Sequence, residues 1–577
     1  MKIIFNRSPW YRDVEFLAHS GPGLFGVGNP GTLQTVALVA QKQGDAQRRE
    51  ARWCTAYRLV DVDDEDKENH LRQAMDRDTP LNFDPSETHD EGSPSDSPRR
   101  LRFRDSTKFA HATTIFHFPQ STLMDLPRRT WAYWIDAPLR RAFKAFPRLG
   151  DIAPPRQGLA TTDNFRFVRY WWEVTPAHRD APAKAPAGRW TPYVKGGQFR
   201  RWYESPRHRV NWEEDGREIK QAIIDRYPYL KGEWQWVAKN TSYYGRGGVS
   251  WSYLTSGRFS ARRLEAGAIF DVAGSSLFPE DVPGMLALLN SSPIHRLLQA
   301  INPTVNLQVG DLAELPVPRE IPPELAALAE SAIRIQQDLD ACDESSPDFV
   351  LPFPWADAVD RMRIIQRELA AIQQQIDLIV CDLYGLKNDD PHTDERPTLD
   401  SIDLSRRWIS FGVGLLLGRW NGNEPGRVLQ LTPPDPRVVR DVREILQARI
   451  GESAISEIEA HVGGIDSFLM KDFYPWHVRL YRRRPPYWAL GSRGEVHLMP
   501  HDFAIGSQLK PILRKMGETL PDGWNRCVDD GIAMGLAPLR ALVPDPALRR
   551  VLDQVAADCE GGRFPWLTPV HERVRIP

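Results

Sequence analysis

A chain of 577 residues is longer than one hydrophobic core usually supports, so about two to four domains are expected. Its composition, 41% hydrophobic and 26% charged, is that of a water-soluble protein; no run approaches the roughly 18–20 apolar residues of a membrane helix, and the first residues lack the apolar core of a secretory signal, which implies a cytoplasmic protein. A formal net charge of −2 argues against a small, uniformly basic nucleic-acid binder, and the scattered Cys54, Cys342, Cys381, Cys527 and Cys559 form no Cys-x-x-Cys pair of the kind that holds zinc.

Taken in chain order, two short β-like runs, at 35–40 and 55–60, look like the closing hairpin of a larger domain. Residues 78–100 are rich in Asp, Ser, Pro, Glu and Thr, a composition that favours a mobile surface loop. The acidic run 61–66 lacks the glycine and closing glutamate of a calcium loop, so solvated acids are expected there and no metal site. Residues 114–318 are dense in Trp, Tyr, Phe, Gly and Arg, with alternating stretches such as Phe165-Arg166-Phe167-Val168-Arg169-Tyr170-Trp171-Trp172, which predict twisted strands interrupted by a Pro/Ala loop at 175–188. Two helices follow, at 323–340 and 355–383, the second with Met362, Ile365, Leu369, Ile372, Ile376 and Ile379 along one stripe; they are expected to pair as an antiparallel hairpin. The remainder mixes helix, as at 439–450, with the basic patch Arg482-Arg483-Arg484-Pro485-Pro486-Tyr487-Trp488.

Catalytic signatures are missing. An amino-methyltransferase needs a glycine-rich loop after a strand for its cofactor and an Asn/Asp/Ser-Pro-Pro-aromatic loop whose acceptors hold the amine of a flipped base. Phe25-Gly26-Val27-Gly28-Asn29-Pro30-Gly31 matches the first by letters, but no complete strand is read before it and a surface turn is the better account. Arg484-Pro485-Pro486-Tyr487 matches the second except that arginine carries donors and no acceptor, and Asn302-Pro303-Thr304 lacks the second proline and the aromatic. Hydrolase, P-loop and metalloprotease motifs are also missing, so no catalytic, cofactor-binding or metal-ligating residue is assigned.

The aromatic region carries an ordered series of blocks: Gly158 to Val174, Trp190-Thr191-Pro192-Tyr193-Val194-Lys195-Gly196-Gly197, Arg201-Trp202-Tyr203, Val210-Asn211-Trp212 with Asp215-Gly216, Gly248-Val249-Ser250-Trp251-Ser252, Leu289-Asn290-Ser291, Asn302 to Asn306 and Leu315-Pro316-Val317-Pro318. In this series the chain resembles the target-recognition and C-terminal half of PglX-type adenine-specific DNA methyltransferases of phage-defence systems (BREX, DISARM-like). The resemblance implies an α+β fold: a remnant hairpin of a Rossmann-like methyltransferase domain with an acidic loop at 1–113, a mixed target-recognition domain at 114–320, a helical spacer at 321–400 and a mixed C-terminal domain at 401–577. It also implies a duplex-DNA partner and a separate catalytic polypeptide that binds S-adenosylmethionine and transfers the methyl group to adenine.

Without the family, the same region already points to DNA. Residues 195–263 hold 14 Lys and Arg against 7 Asp and Glu. Such cations, interleaved with flat rings and glycines, can engage phosphates and stack on bases. The residues expected at DNA are Lys195, Arg200, Arg201, Lys239, Arg246, Ser250, Trp251 and Arg258, with Arg246, among glycines, as base reader. The alternative is a non-enzymatic DNA- or protein-binding subunit of a defence assembly.

Overall fold

The computed structural model describes the strands at 13–21, 35–41, 53–58, 99–101 and 114–119 and, with gaps at 128–131, 175–189, 254–257, 303–305, 387–398, 421–426 and a few single positions, residues 126–500. The glycine-rich segment 25–31, the acidic stretch 61–98, the Pro/Ala loop, positions 303–305 and the part of the expected C-terminal domain beyond 500 lie outside the described residues.

The first strands, β1 (Asp13–Gly21), β2 (Thr35–Gln41), β3 (Trp53–Arg58), β4 (Arg99–Leu101) and β5 (Thr114–Pro119), form one mixed sheet in the order β2-β1-β3-β5-β4. The two runs expected to form a hairpin do not pair: β1 lies between them, antiparallel to β2 with Leu17 opposite Leu38, and parallel to β3 with Leu17 opposite Ala56. A strand therefore does precede the glycine-rich segment, which corrects the sequence reading.

Two small sheets build the aromatic region. β6 (Val168–Tyr170), β7 (Trp190–Val194), β8 (His208–Asn211) and β11 (Ile269–Phe270) run in the order β11-β7-β8-β6, while β9 (Gly248–Trp251), β10 (Ala261–Leu264) and β12 (Ser276–Leu277) run β10-β9-β12. The run around Phe167 is a strand only in part. Asp163 accepts from the Arg166 amide at 3.1 Å and caps a helical turn over Asn164–Phe167; β6 follows, and then a 3-10 turn, Trp171–Glu173.

Several glycines of the ordered blocks are packing positions. A Cβ on Gly158 would lie 1.8 Å from the Phe270 carbonyl oxygen, on Gly196 2.3 Å from that of Ala273 and on Gly248 2.4 Å from that of Leu277. Gly196 and Gly248 thus admit the chain's own backbone where the sequence suggested a ligand.

The helices are α1 (Ala137–Ala145), α2 (Glu213–Arg226), α3 (Val282–Leu289), α4 (Ser292–Ile301), α5 (Pro323–Asp340), α6 (Ala358–Tyr384), α7 (Ser401–Leu416), α8 (Pro436–Ile450), α9 (Glu452–Val462), α10 (Ile465–Lys471) and α11 (Phe473–Leu480). α5 and α6 pack on each other where the sequence placed them. They are not a spacer, however: Leu325, Ala329 and Ile333 of α5 and Leu369, Ile376 and Val380 of α6 share one core with Trp202, Trp251, Leu286 and Leu297. An apolar stripe must be covered, and the sheet β10-β9-β12 with α3 and α4 covers it. A second core joins α7–α11 to the three strands β13 (Leu429–Thr432), β15 (Glu495–Pro500) and β14 (Tyr487–Ser492).

The end of β6, in the sheet β11-β7-β8-β6, meets the helical unit at an aromatic joint. Trp171 and Trp172 cluster with Tyr481, Trp171 Nε1 donates to the Ser345 carbonyl at 2.9 Å, and Trp172 Nε1 donates to the Arg484 carbonyl at 2.7 Å. Tyr170 stacks on Trp172 at 4.5 Å, and buried Glu173 pairs with Arg484 at 3.4 Å. Beneath the joint, Tyr481 donates to the Glu344 carbonyl at 2.9 Å and buried Glu344 pairs with His477, also at 2.9 Å. Arg484 and Tyr487 are thus employed in packing: Tyr487 is buried and its hydroxyl bonds His477 Nδ1 at 2.8 Å.

Candidate nucleic-acid interface

Some of the expected DNA contacts are interior. Arg201 is 3% exposed, and its Nη1 donates to Gln373 Oε1 on α6 at 2.6 Å. Gln373 Nε2 in turn donates to the Asn290 carbonyl at 3.2 Å and to Asp377 Oδ1 at 3.0 Å. Ser250 is fully buried and donates to the Gly274 carbonyl at 3.0 Å; Trp251, equally buried, sends Nε1 to the Leu307 carbonyl at 3.4 Å. The assignment of Arg201, Ser250 and Trp251 to a DNA surface is corrected: all three spend their polar atoms inside the fold. Arg258 is half-buried near His295, whose pKa burial, and then the charges of Arg258 and Arg201, lower to about 4.

The remaining candidates occupy two places. At the first, exposed Arg246 follows Gly245 (φ 79°) in a turn pinned by the Gly245 amide to the Ala268 carbonyl at 3.0 Å. Its guanidinium centre lies 4.9 Å from the centre of the Tyr243 ring, and that of Arg156 lies 4.8 Å from the same ring. Arg156 also donates to the Tyr243 hydroxyl at 3.2 Å. One ring therefore holds two guanidiniums, which have more N–H donors than the ring can use. Lys239 lies along the same segment, tied to Gln157 Oε1 at 2.9 Å, the residue after Arg156. Just before it stand exposed Tyr229 (73%) and Trp236 (65%), the latter donating to Glu233 at 2.8 Å. Sequence reasoning missed Arg156, because no periodic pattern links it to a turn so far along the chain.

At the second place, Lys195 and Arg200 line a cleft of about 140 Å3 bounded by β7, β8 and the end of α11. Lys195 pairs with Asp271 at 3.4 Å and donates to Asn164 Oδ1 at 3.0 Å; Arg200 pairs with Asp340, whose carboxyl burial raises to about 6 against the pull of Arg200. Half-buried His208 borders the cleft. Burial, and then the charges of Lys195, Arg482, Arg484 and Arg207, lower its pKa to about 3. Among the described residues no group of His, Cys, Asp and Glu is arranged to hold a metal ion, and no helix is long and apolar enough to cross a membrane.

No protein-family model matches the chain. It is 24% identical over 548 residues to the adenine-specific methyltransferase PglX of Lacticaseibacillus casei (strain Zhang), covering 82% of this chain and 42% of that protein. It is also 24% identical over 461 residues to the adenine-specific methyltransferase BrxX of Escherichia coli O9:H4 (strain HS), covering 65% of this chain and 37% of that protein. Among solved structures, the Type IIL restriction-modification enzyme MmeI in complex with DNA aligns over 43% of this chain and 34% of its own at 14% identity, with a TM-score of 0.27, too slight a likeness to assign a fold. The chain spans about two fifths of the length of its curated relatives. Along most of its length the chain is thus similar to the PglX and BrxX adenine-specific methyltransferases, in keeping with the resemblance carried by the ordered sequence blocks.

Proposed function

We propose that the chain binds duplex DNA and selects the sequence at which adenine is methylated in a phage-defence system of the BREX or DISARM kind. Methyl transfer itself is assigned to a separate catalytic polypeptide that binds S-adenosylmethionine. The similarity to PglX and BrxX supports the reaction class. The observation that carries the DNA reading is the exposed Arg246 sharing the Tyr243 ring with Arg156. An arginine braced on a ring is held extended before DNA arrives, so less side-chain entropy is lost when its fork meets guanine O6 and N7 or a phosphate. Lys239, Lys195 and Arg200 serve as phosphate anchors in the same reading, and Tyr229 and Trp236, earlier in the chain, offer flat exposed faces.

Filter binding of duplex DNA across a salt series tests the proposal. Affinity falls with a slope of roughly −0.9 for each phosphate contacted. Arg156→Ala and Arg246→Ala each weaken binding about 5- to 100-fold, the range of about 1–3 kcal/mol that one good arginine contact supplies. Replacement of both with wild-type affinity and a flat salt response would remove this face from DNA.

A further inference from the structure

We infer that the cleft between β7, β8 and the end of α11 is a binding site for a phosphate oxyanion. It deepens the proposed DNA reading, in which Lys195 and Arg200 are phosphate anchors, but it shares no residue with the Arg156–Tyr243–Arg246 group, so the two can fail separately.

Lys195, Arg200, Arg207, Arg262 and Arg482 line the cleft, and Glu204 is the lone carboxylate among the lining residues. Acids anchor four of the cations: Asp271 holds Lys195 at 3.4 Å, Asp340 holds Arg200, Asp343 holds Arg207 at 2.8 Å and Glu204 holds Arg262 at 3.3 Å. These pairs fix the positions of the guanidiniums: buried Arg262 is spent on Glu204, on the Ser252 hydroxyl at 3.3 Å and on the Lys195 carbonyl at 3.1 Å and braces the wall, while Arg200 and Arg207 keep N–H groups for a ligand. A guanidinium has five N–H donors, and Arg207 uses Nη2 alone, toward Asp343. Arg482 faces no acidic partner among the described residues. It projects from a left-handed backbone position (φ 52°) just past α11, so the helical unit supplies a cation to a cleft otherwise made by the recognition sheet. Five cations set against four paired carboxylates leave a positive excess in a concave space. The volume of about 140 Å3 is ten times the roughly 10–15 Å3 that one water needs, which admits a tetrahedral anion and part of whatever bears it. Guanidinium forks match phosphate geometry in pairs, and a low-dielectric wall strengthens the attraction.

The cleft has one position where the ligand can be blocked without removing any ion pair. Gly197 lines it with ordinary backbone, and a Cβ there would meet nothing closer than Glu204 Oε2 at 4.0 Å. Gly197→Asp places a fixed negative charge in the space, whereas Gly197→Ala adds only a methyl group.

Calorimetric titration of the full chain with inorganic pyrophosphate is the test, with thermal unfolding run on every variant. Wild type and Gly197→Ala bind alike, Gly197→Asp loses at least tenfold, and Arg482→Gln loses about three- to tenfold with an unchanged melting temperature. A second arm asks where the phosphate comes from. Pyrophosphate that displaces duplex DNA from wild type but not from Gly197→Asp identifies a backbone phosphate of DNA. Pyrophosphate that binds without disturbing retained DNA identifies a free nucleotide or polyphosphate. Absence of pyrophosphate binding, or equal binding by wild type, Gly197→Asp and Arg482→Gln, overturns the site, and neither outcome bears on the Arg246 experiment.

Discussion

Arg201 and Arg246 each carry a guanidinium near an aromatic ring, Phe199 in one case and Tyr243 in the other, yet they do opposite work. Arg201 is buried and satisfies Gln373, so Arg201→Ala leaves a buried amide oxygen without that donor and is expected to cost about 1–3 kcal/mol. Arg246→Ala is expected to change stability by less than about 0.5 kcal/mol and, under the proposed function, to lower DNA affinity instead. Urea unfolding of the two variants decides this, and equal losses would contradict the placement of both. The sequence showed which residue types were concentrated here but not which side of the fold each one faced. Burial is settled by contacts far along the chain, such as Arg201 to Gln373 and Trp251 to the Leu307 carbonyl, and no local pattern reports them. Titration belongs to this scale as well. His208 and His295 have folded pKa values lowered to about 3 and about 4, below the ordinary 6.5, so the unfolded chain binds more protons in that window. Stability is therefore full above pH 6.5 and is lost as pH falls toward 4, by up to one proton's slope for each histidine. Asp340, raised to about 6, opposes this between about pH 4 and 6 and loses its contribution as pH rises. His208→Asn is expected to flatten the acid limb of a stability-versus-pH curve, and an unchanged limb would show that His208 titrates normally.

At the scale of elements, α6 shows what periodicity can and cannot say. Leu369, Ile372 and Ile376 are buried as their spacing predicts, with Ile365 and Ile379 packed beside them. The same face also buries Gln373 and Asp377, where Asp377 accepts from the Ser292 amide at 2.8 Å and the Ser292 hydroxyl at 2.9 Å at the start of α4. Those polar residues on an apolar stripe were the legible hint that α6 is more than a spacer. Ile376→Ala, at a fully buried position, is expected to destabilise by about 2–5 kcal/mol, whereas Ile364→Ala, 59% exposed, stays within about 0.5 kcal/mol. Thermal melts of the two variants check the contrast; a tolerant Ile376 would detach α6 from the core it shares with β10-β9-β12. Strand order was the least legible feature. β2 and β3 were recognisable as β-forming runs, but the insertion of β1 between them is a pairing choice that residues within each run do not encode.

For the whole molecule, the joint around Trp171 and Trp172 decides how the aromatic region and the helical unit behave together. Both indoles donate to carbonyls across it, and Glu173 meets Arg484 beside them. A domain pair held by such a seam melts as one body. Trp172→Ala, which removes a large buried ring and leaves the Arg484 carbonyl unpaired, is expected to cost about 3–5 kcal/mol and to split a single calorimetric transition into two. One unchanged transition would show that the seam transmits nothing.

That seam also sets a rule for transplantation. Under the proposed function, exchange of specificity between relatives would be attempted by grafting residues 114–320, the stretch that carries the recognisable blocks. The graft would import Tyr170, Trp171, Trp172 and Glu173 while the host kept its own counterparts of Ser345, Tyr481 and Arg484, and the recipient would inherit a mismatched socket rather than a new preference. A chimera whose boundaries carry both sides of the seam, through Tyr487, keeps lock and key from the same parent. Inheritance of specificity in this lineage is therefore expected to follow paired segments more than 300 positions apart, as Trp172 and Arg484 are, and not a single contiguous cassette.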